Sequence, residues 1–464
     1  MQGTFYSASH PSRSPTPGGL RLEVQTGRLG IIGPKMLFAI LAILPLAAAT
    51  TSQLREWSTP IILDRSGGFQ IGGTIISDPT NSTQTLSCDH GYMEYFIPWT
   101  PRQTSLVMWH SSSTQVFQNR WDGGQGYKDM FLRRGYPVYL WDGPRVGRAN
   151  WACEPVNYVP GYRDQSNFAA WNFGPSYKNW WPDVQFPTQD DAAWQQATSA
   201  RYDEFDTYAN VLLHAHAAAI AADSGKVGNS IVYLTNSAGG LRAQMTAIRS
   251  NTTNIKGIVT YESIGYVFPD NVNITADTVG GFGPVVVPLA EFKKLAKVPA
   301  IQFVWGDHRE PDNFYVLQSR RCAALINQYG GNAQVLMLGD DAGLKGSTHI
   351  PFADLDNAKV AALLDKFLAA NHLDGYLSGD SRAVSTAISP SASQGRGKKP
   401  PHCSGKTQTV RHGELPGTGT QTWPGRHLLM VHSQMGTRGA MAEADAREAR
   451  KTMEEAMRSF IFVV

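Results

Sequence analysis

From about residue 66 to residue 373 the hydrophobic pattern keeps changing period. Gly68–Ile76 and Tyr92–Ile97 alternate apolar and polar positions, which predicts an antiparallel pair of strands. Shorter, almost continuously apolar runs follow at Leu106–Trp109, Val138–Trp141, Ile231–Leu234, Ile258–Tyr261, Ala300–Trp305 and Val335–Leu338, with only Thr260 and Gln302 polar. A strand that is apolar on both faces belongs inside a parallel sheet covered on each side by helices. Helical spacing fills the intervals at Tyr127–Arg134, Phe205–Ala222, Gly239–Arg249, Ala290–Ala296, Phe314–Tyr329 and Asn357–Asn371. Strand and helix in repeated alternation predict an α/β fold, with right-handed βαβ units in a doubly wound, mostly parallel sheet of eight strands. Ligands of such sheets bind beyond the carboxyl ends of the strands.

One connection, Arg148–Arg201, is too long for a plain loop and carries Trp151, Trp171, Trp180, Trp181 and Trp194. Either it caps a site, or it is a surface excursion pinned by aromatic packing. The chain ends differ in kind from the middle. Residues 1–35 are rich in Ser, Pro, Gly and Arg without periodicity and read as a disordered leader or a gene-model extension. Residues 36–49 combine an apolar run, Leu37–Leu46, with Ala47-Ala48-Ala49, the form of a secretory signal peptide. Residues 380–464 read as a disordered tail with one Ala/Glu/Arg-rich helix between Ala440 and Phe460. The catalytic domain is expected within residues 50–379, with the Trp-rich insertion at about 148–201.

Composition narrows the partners. Of 464 residues, 41 are Lys or Arg and 38 are Asp or Glu, and the net charge of +3 has no long basic run behind it. Nucleic acid is therefore excluded as a main partner, because phosphate binding needs a concentrated positive field. No apolar stretch reaches the roughly 18 residues that span a bilayer. Sequons at Asn81, Asn251 and Asn273 agree with export. Of the four cysteines, Cys88 and Cys153 lie near predicted strand ends and are expected to pair in an oxidising compartment, with Cys322 a buried thiol. Zinc-type ligand spacing is absent from the sequence.

The strongest chemical signal is IVYLTNSAGGLRAQM, a hydrophobic strand that runs through Thr235-Asn236-Ser237-Ala238-Gly239 into a helix. A nucleophile elbow needs this layout, a sharp strand-to-helix turn that exposes a serine between small neighbours. Its usual first Gly is Thr235 here. A serine needs a base, and His349 follows the last predicted strand, 349 − 237 = 112 residues downstream. Two acids compete to orient it: Glu262, after the strand next to the nucleophile's, and Asp307, one strand later, which topology favours. The run Asp307-His308-Arg309-Glu310 also reads as a charge-rich turn pairing within itself. Oxyanion donors are expected from the His110–Thr114 loop and from the start of the helix after Ser237, with His110 structural.

With MWHSSS, GYKDMFLRRGYPVYLWDGPRVGRAN, TNSAGG, GIVTYES, VWGDH and GSTHIPFADLDN in place, the chain resembles the α/β-hydrolase superfamily over about residues 66–373. It is similar to a secreted esterase-type branch whose acid follows the strand after the nucleophile strand. That resemblance implies Glu262 rather than Asp307 as the acid of a Ser237–His349–Glu262 triad, with the Ser112 and Ala238 amides as the oxyanion hole. It implies a secreted serine hydrolase of small carboxylic esters that needs no cofactor. Thr235 and Ser111, where Gly is usual, are the departures. The alternative is a secreted protein that keeps this scaffold for binding without turnover. Oligomeric state is not encoded in these patterns.

Overall fold

The computed structural model describes residues 59–110, 113–156, 161–200, 208–274 and 284–377. The leader, the signal-like segment and the tail lie outside the described residues. The chain separates into two units at Pro60/Ile61; of the first only residues 59 and 60 are described, and the account below concerns the second.

The antiparallel pair is β1 (Leu63–Ser77) and β2 (Thr85–Pro98). The shorter apolar runs become β3 (Ser105–His110), β4 (Val138–Asp142), β5 (Ile231–Asn236), β6 (Ile255–Tyr261), β9 (Ala300–Trp305) and β10 (Ala333–Met337). Among the described residues these eight strands form one sheet in the order β1-β2-β4-β3-β5-β6-β9-β10. It is parallel from β4 onward and antiparallel where β2 meets β1 and β4. A separate parallel pair, β7 (Val267–Pro269) and β8 (Val285–Val287), is too short for a hydrophobic period to reveal.

Both faces of the sheet are covered, which explains why so few polar positions interrupt its strands. Along β5, Ile231 and Tyr233 enter one core while Val232 and Leu234 enter the other. The first core is closed by α4 (Tyr208–Asp223), α5 (Gly239–Arg249) and α7 (Phe314–Gln328), the second by α1 (Tyr127–Arg133) and α8 (Asn357–Ala370). The helix expected over Ala290–Ala296 is instead a short α6 (Leu289–Phe292) followed by a 3-10 turn at Leu295–Lys297. Pro288 caps the start of that segment, and Pro299 follows it at the entry to β9. Among the described residues, no helix is long and apolar enough to cross a membrane.

The Trp-rich insertion folds around its own aromatic cluster between α2 (Asp164–Ala170) and α3 (Asp191–Ser199). Phe168 meets Trp180 at 4.5 Å between centroids, Phe173 meets Phe186 at 4.5 Å, and Trp180 stacks on Phe186 at 5.3 Å. β3 lies between β4 and β5, so the chain winds one way from β3 to β4 and the other way from β5 onward. This reversal is where doubly wound sheets open a crevice at the carboxyl edge.

Candidate active site

β5 delivers Ser237 to that edge. The serine has φ +54°, in the left-handed region that a non-glycine residue enters only under constraint. Three backbone bonds hold it: its N–H donates to the Tyr261 carbonyl at 3.1 Å, and its own carbonyl accepts from Gly240 at 3.1 Å and Ile264 at 3.2 Å. The turn tightens because α5 begins at once and packs hard on β6. A Cβ at Gly240 would lie 2.0 Å from Ser263 Oγ and 2.5 Å from Thr260 Oγ1. Thr235, in place of the usual first glycine, is fully buried, and its Oγ1 has no hydrogen-bond partner among the described residues. Ala238 is buried at the helix start, and among the described residues its amide donates to no backbone carbonyl. Ser112, the other expected oxyanion donor, lies outside the described residues, as does Ser111.

Glu262 follows β6 directly, also in a left-handed conformation (φ +50°), and is 1% exposed. Its Oε2 lies 3.2 Å from His349 Nδ1. Its Oε1 accepts from the Gly306 N–H at 2.6 Å and from Arg309 Nε at 3.2 Å, while Arg309 Nη2 closes a short ion pair with Oε2. Burial pushes this carboxyl up, but Arg309 and then His349 more than offset it, so it sits below its ordinary range.

Asp307 makes no such contact with His349. Its carboxylate accepts the Gly346 N–H at 2.9 Å and faces Lys345 Nζ at 3.5 Å, and its backbone N–H donates to the Ser347 carbonyl at 2.9 Å. It braces the loop that carries His349. The 307–310 turn therefore does not pair mainly within itself: Arg309 reaches Glu262, and His308 Nε2 bonds Asp183 at 2.7 Å while its ring stacks on Trp181 at 4.4 Å. The physical reason is burial, since Glu262 has no water to satisfy it and the turn passes directly over it.

His349 is 8% exposed and held from several directions. Its N–H donates to the Trp171 carbonyl at 2.9 Å, and its carbonyl accepts from Asn236 Nδ2 at 2.8 Å. Asn236 precedes Ser237, and its amide also reaches the Tyr261 carbonyl at 3.1 Å, so one side chain ties the serine turn to both the acid's strand and the histidine's backbone. Thr348 is fixed through its N–H and Oγ1, each 2.7 Å from the carboxylate of Asp354, whose carboxyl burial raises well above its usual range. Gln185 of the insertion donates its N–H to the Gly346 carbonyl at 2.9 Å and accepts from Leu355 at 2.8 Å.

The structure thus joins Glu262 and His349 directly, and Asn236, the residue before Ser237, bonds the His349 backbone. A hydroxyl, an imidazole and a buried carboxylate held in this way are the groups of nucleophilic acyl transfer. Asn236, Arg309, Asp354 and the insertion's contacts were not signalled by the sequence. His110 accepts the Ser113 N–H on Nδ1 at 3.1 Å. His214 is buried, with Nε2 2.6 Å from the Pro144 carbonyl, and burial pulls its imidazole down to about 4. Cys88 and Cys153 form a disulfide, and Cys322 is a buried free thiol. One group of possible metal donors occurs among the described residues, Asp183, Asp307 and His308. Its atoms already bond each other and the loop, and the Lys345 ammonium stands beside it.

No family model matches this chain. A solved bacterial esterase superposes with a TM-score of 0.54 at 22% identity, covering 68% of this chain and 98% of that one. The fold is that of the α/β-hydrolases. A protein of a fungal species (strain ATCC 74256), named as probable secreted lipase phiG, is 24% identical over 323 residues, 59% of this chain and 84% of that protein. Within the α/β-hydrolase frame, Ser237 occupies the strand-to-helix bend, and Glu262 and His349 follow later strands of the same edge.

Proposed function

We propose that this α/β-hydrolase is an exported serine hydrolase that cleaves carboxylic esters. Ser237 attacks the ester carbonyl, His349 takes its proton and passes it to the leaving alcohol, and Glu262 orients the imidazole and balances its charge. The Ala238 and Ser112 amides receive the oxyanion. Water, activated by the same histidine, then releases the acid from the acyl-enzyme. The reading is carried by one observation, the buried Glu262 carboxylate 3.2 Å from His349 Nδ1, with Ser237 in a left-handed turn next to Asn236, whose amide bonds the His349 carbonyl. The names of the esterase and lipase relatives favour an ester over other acyl substrates.

Export is supported by the disulfide, which cytosolic thiol chemistry does not favour, by the relative named as secreted, and by exposed Asn81, Asn251 and Asn273 as glycan acceptors. A panel of p-nitrophenyl esters of increasing acyl length tests the activity. Ser237→Ala is expected to lower turnover by at least about 10⁴-fold on any ester the wild type cleaves. Turnover that survives this substitution would end the proposal.

A further inference from the structure

The mechanism above leaves Arg309 without a task, yet its guanidinium is largely buried (15% exposed). It contacts both oxygens of Glu262, including Oε2, the atom that also meets His349 Nδ1. Among the described residues Glu262 is the ion-pair partner of Arg309, 47 positions away, although Glu310 and Asp312 lie in its own turn. Two-point contact from a planar guanidinium fixes the carboxylate's plane as well as its charge.

The charge count shows what this does. A buried carboxylate whose single counter-charge is an imidazolium favours the protonated imidazole up to higher pH, and a protonated imidazole cannot act as a base. We propose that Arg309 is a positioning residue that holds both Glu262 oxygens and neutralises the resting carboxylate, so that His349 stays an uncharged base at lower pH than a Glu–His pair alone would allow. This inference rests on the triad reading above. At rest, guanidinium and carboxylate sum to zero around a neutral imidazole. During attack the imidazolium adds one positive charge, and the oxyanion formed from the same proton transfer balances it. The buried site therefore gains no net charge as the reaction proceeds.

Other titratable groups around the pair have partners of their own. Asp307 is engaged by Lys345 and the Gly346 N–H, His308 by Asp183, Asp354 by Thr348, and His110 by the Ser113 N–H. Tyr266, close to Glu262, donates to the Ser263 carbonyl, and burial raises its phenol well above the usual range. Among the described residues, Arg309 is thus the charged group in direct contact with the carboxylate, beside the His349 imidazole.

The test compares wild type with Arg309→Met and Arg309→Gln, using kcat/KM for p-nitrophenyl acetate against pH. The His349 imidazole is titrated by NMR in parallel in a Ser237→Ala background. In both Arg309 variants the midpoint of the acid limb is expected to rise by about one pH unit or more, with the same rise in the NMR titration. Arg309→Lys keeps the charge but loses the two-point hold, so its midpoint stays near wild type while kcat falls. A loss of rate with both midpoints unmoved would overturn the inference and leave Arg309 a packing residue. An NMR rise without Ser237-dependent turnover would instead uphold the charge relation and reject the hydrolase reading.

Discussion

The serine turn and the histidine loop reach the same edge of the sheet by opposite means. Among the described residues, the backbone bonds that fix Ser237 in its left-handed conformation come from the β5–α5–β6 unit and the turn after it: Tyr261, Gly240 and Ile264. The loop around His349 is held by partners far along the chain. Asn236 is 113 positions away from His349, Glu262 is 87, Gln185 is 160 from Lys345, and Asp307 is 39 from Gly346. The nucleophile is held within one β–α–β unit and its following turn, whereas the base, Asp354 apart, is held by contacts from other parts of the chain. Damage distant from the chemistry should therefore misplace the base and spare the bend.

The largest effect should come from the link between the two regions. Glu262→Gln keeps the shape but favours the wrong imidazole tautomer, so kcat is expected to fall by about 10³–10⁴-fold. Asp307→Asn should cost less than about tenfold, because its carboxylate braces the loop without touching His349. Steady-state kinetics on both variants decide the matter, and the reverse ranking would make Asp307 the acid.

Gly346→Ala strikes the histidine loop alone. Gly346 has φ +73°, and a Cβ there would lie 1.8 Å from the Asp183 carbonyl, a backbone atom of the insertion. The contact between Gly346 and the Asp183–Gln185 stretch of the insertion must open, which displaces His349. Turnover should fall by about 10–100-fold, with a stability loss of about 2 kcal/mol in denaturant titration. Reaction of Ser237 with a small phosphonate should still be detectable, though slowed. An unchanged kcat would mean that the insertion does not hold the base.

His214 separates the scaffold's pH response from the site's. Its imidazole is pulled from 6.5 to about 4 by burial, so the unfolded chain takes up the proton first as pH falls. The sign follows: stability is full above about pH 6.5 and falls by about 3 kcal/mol as pH drops toward about 4. His214→Gln should remove that slope in denaturant unfolding at several pH values, without moving the acid limb of kcat/KM.

The same contrast explains what could be read from the residues. The strands were legible because Ile231–Leu234 and Ala300–Trp305 are buried on both faces, and such burial leaves the runs almost wholly apolar, with Gln302 the polar exception. The serine bend was legible because small residues, Ala238, Gly239 and Gly240, follow it directly, even with Thr235 where glycine is usual; its partners Tyr261 and Ile264 were not. Arg309 was not legible, since a cation in an acid-rich turn signals local pairing, and its true partner is set by the packing of β6 against β9. The insertion's hold on the histidine was hidden for a related reason. The Trp171 carbonyl and Gln185 backbone bonds need no particular side chain, so the tryptophans marked an aromatic cluster and said nothing of the loop beneath it. β7 and β8 escaped because three residues carry no period.

The most direct measurement of the central claim is labelling with a fluorophosphonate, followed by mass spectrometry of the peptides. The account predicts one covalent adduct, on Ser237, lost in Ser237→Ala and slowed by orders of magnitude in Glu262→Gln. An adduct on another residue, or an unlabelled wild-type protein, would contradict it.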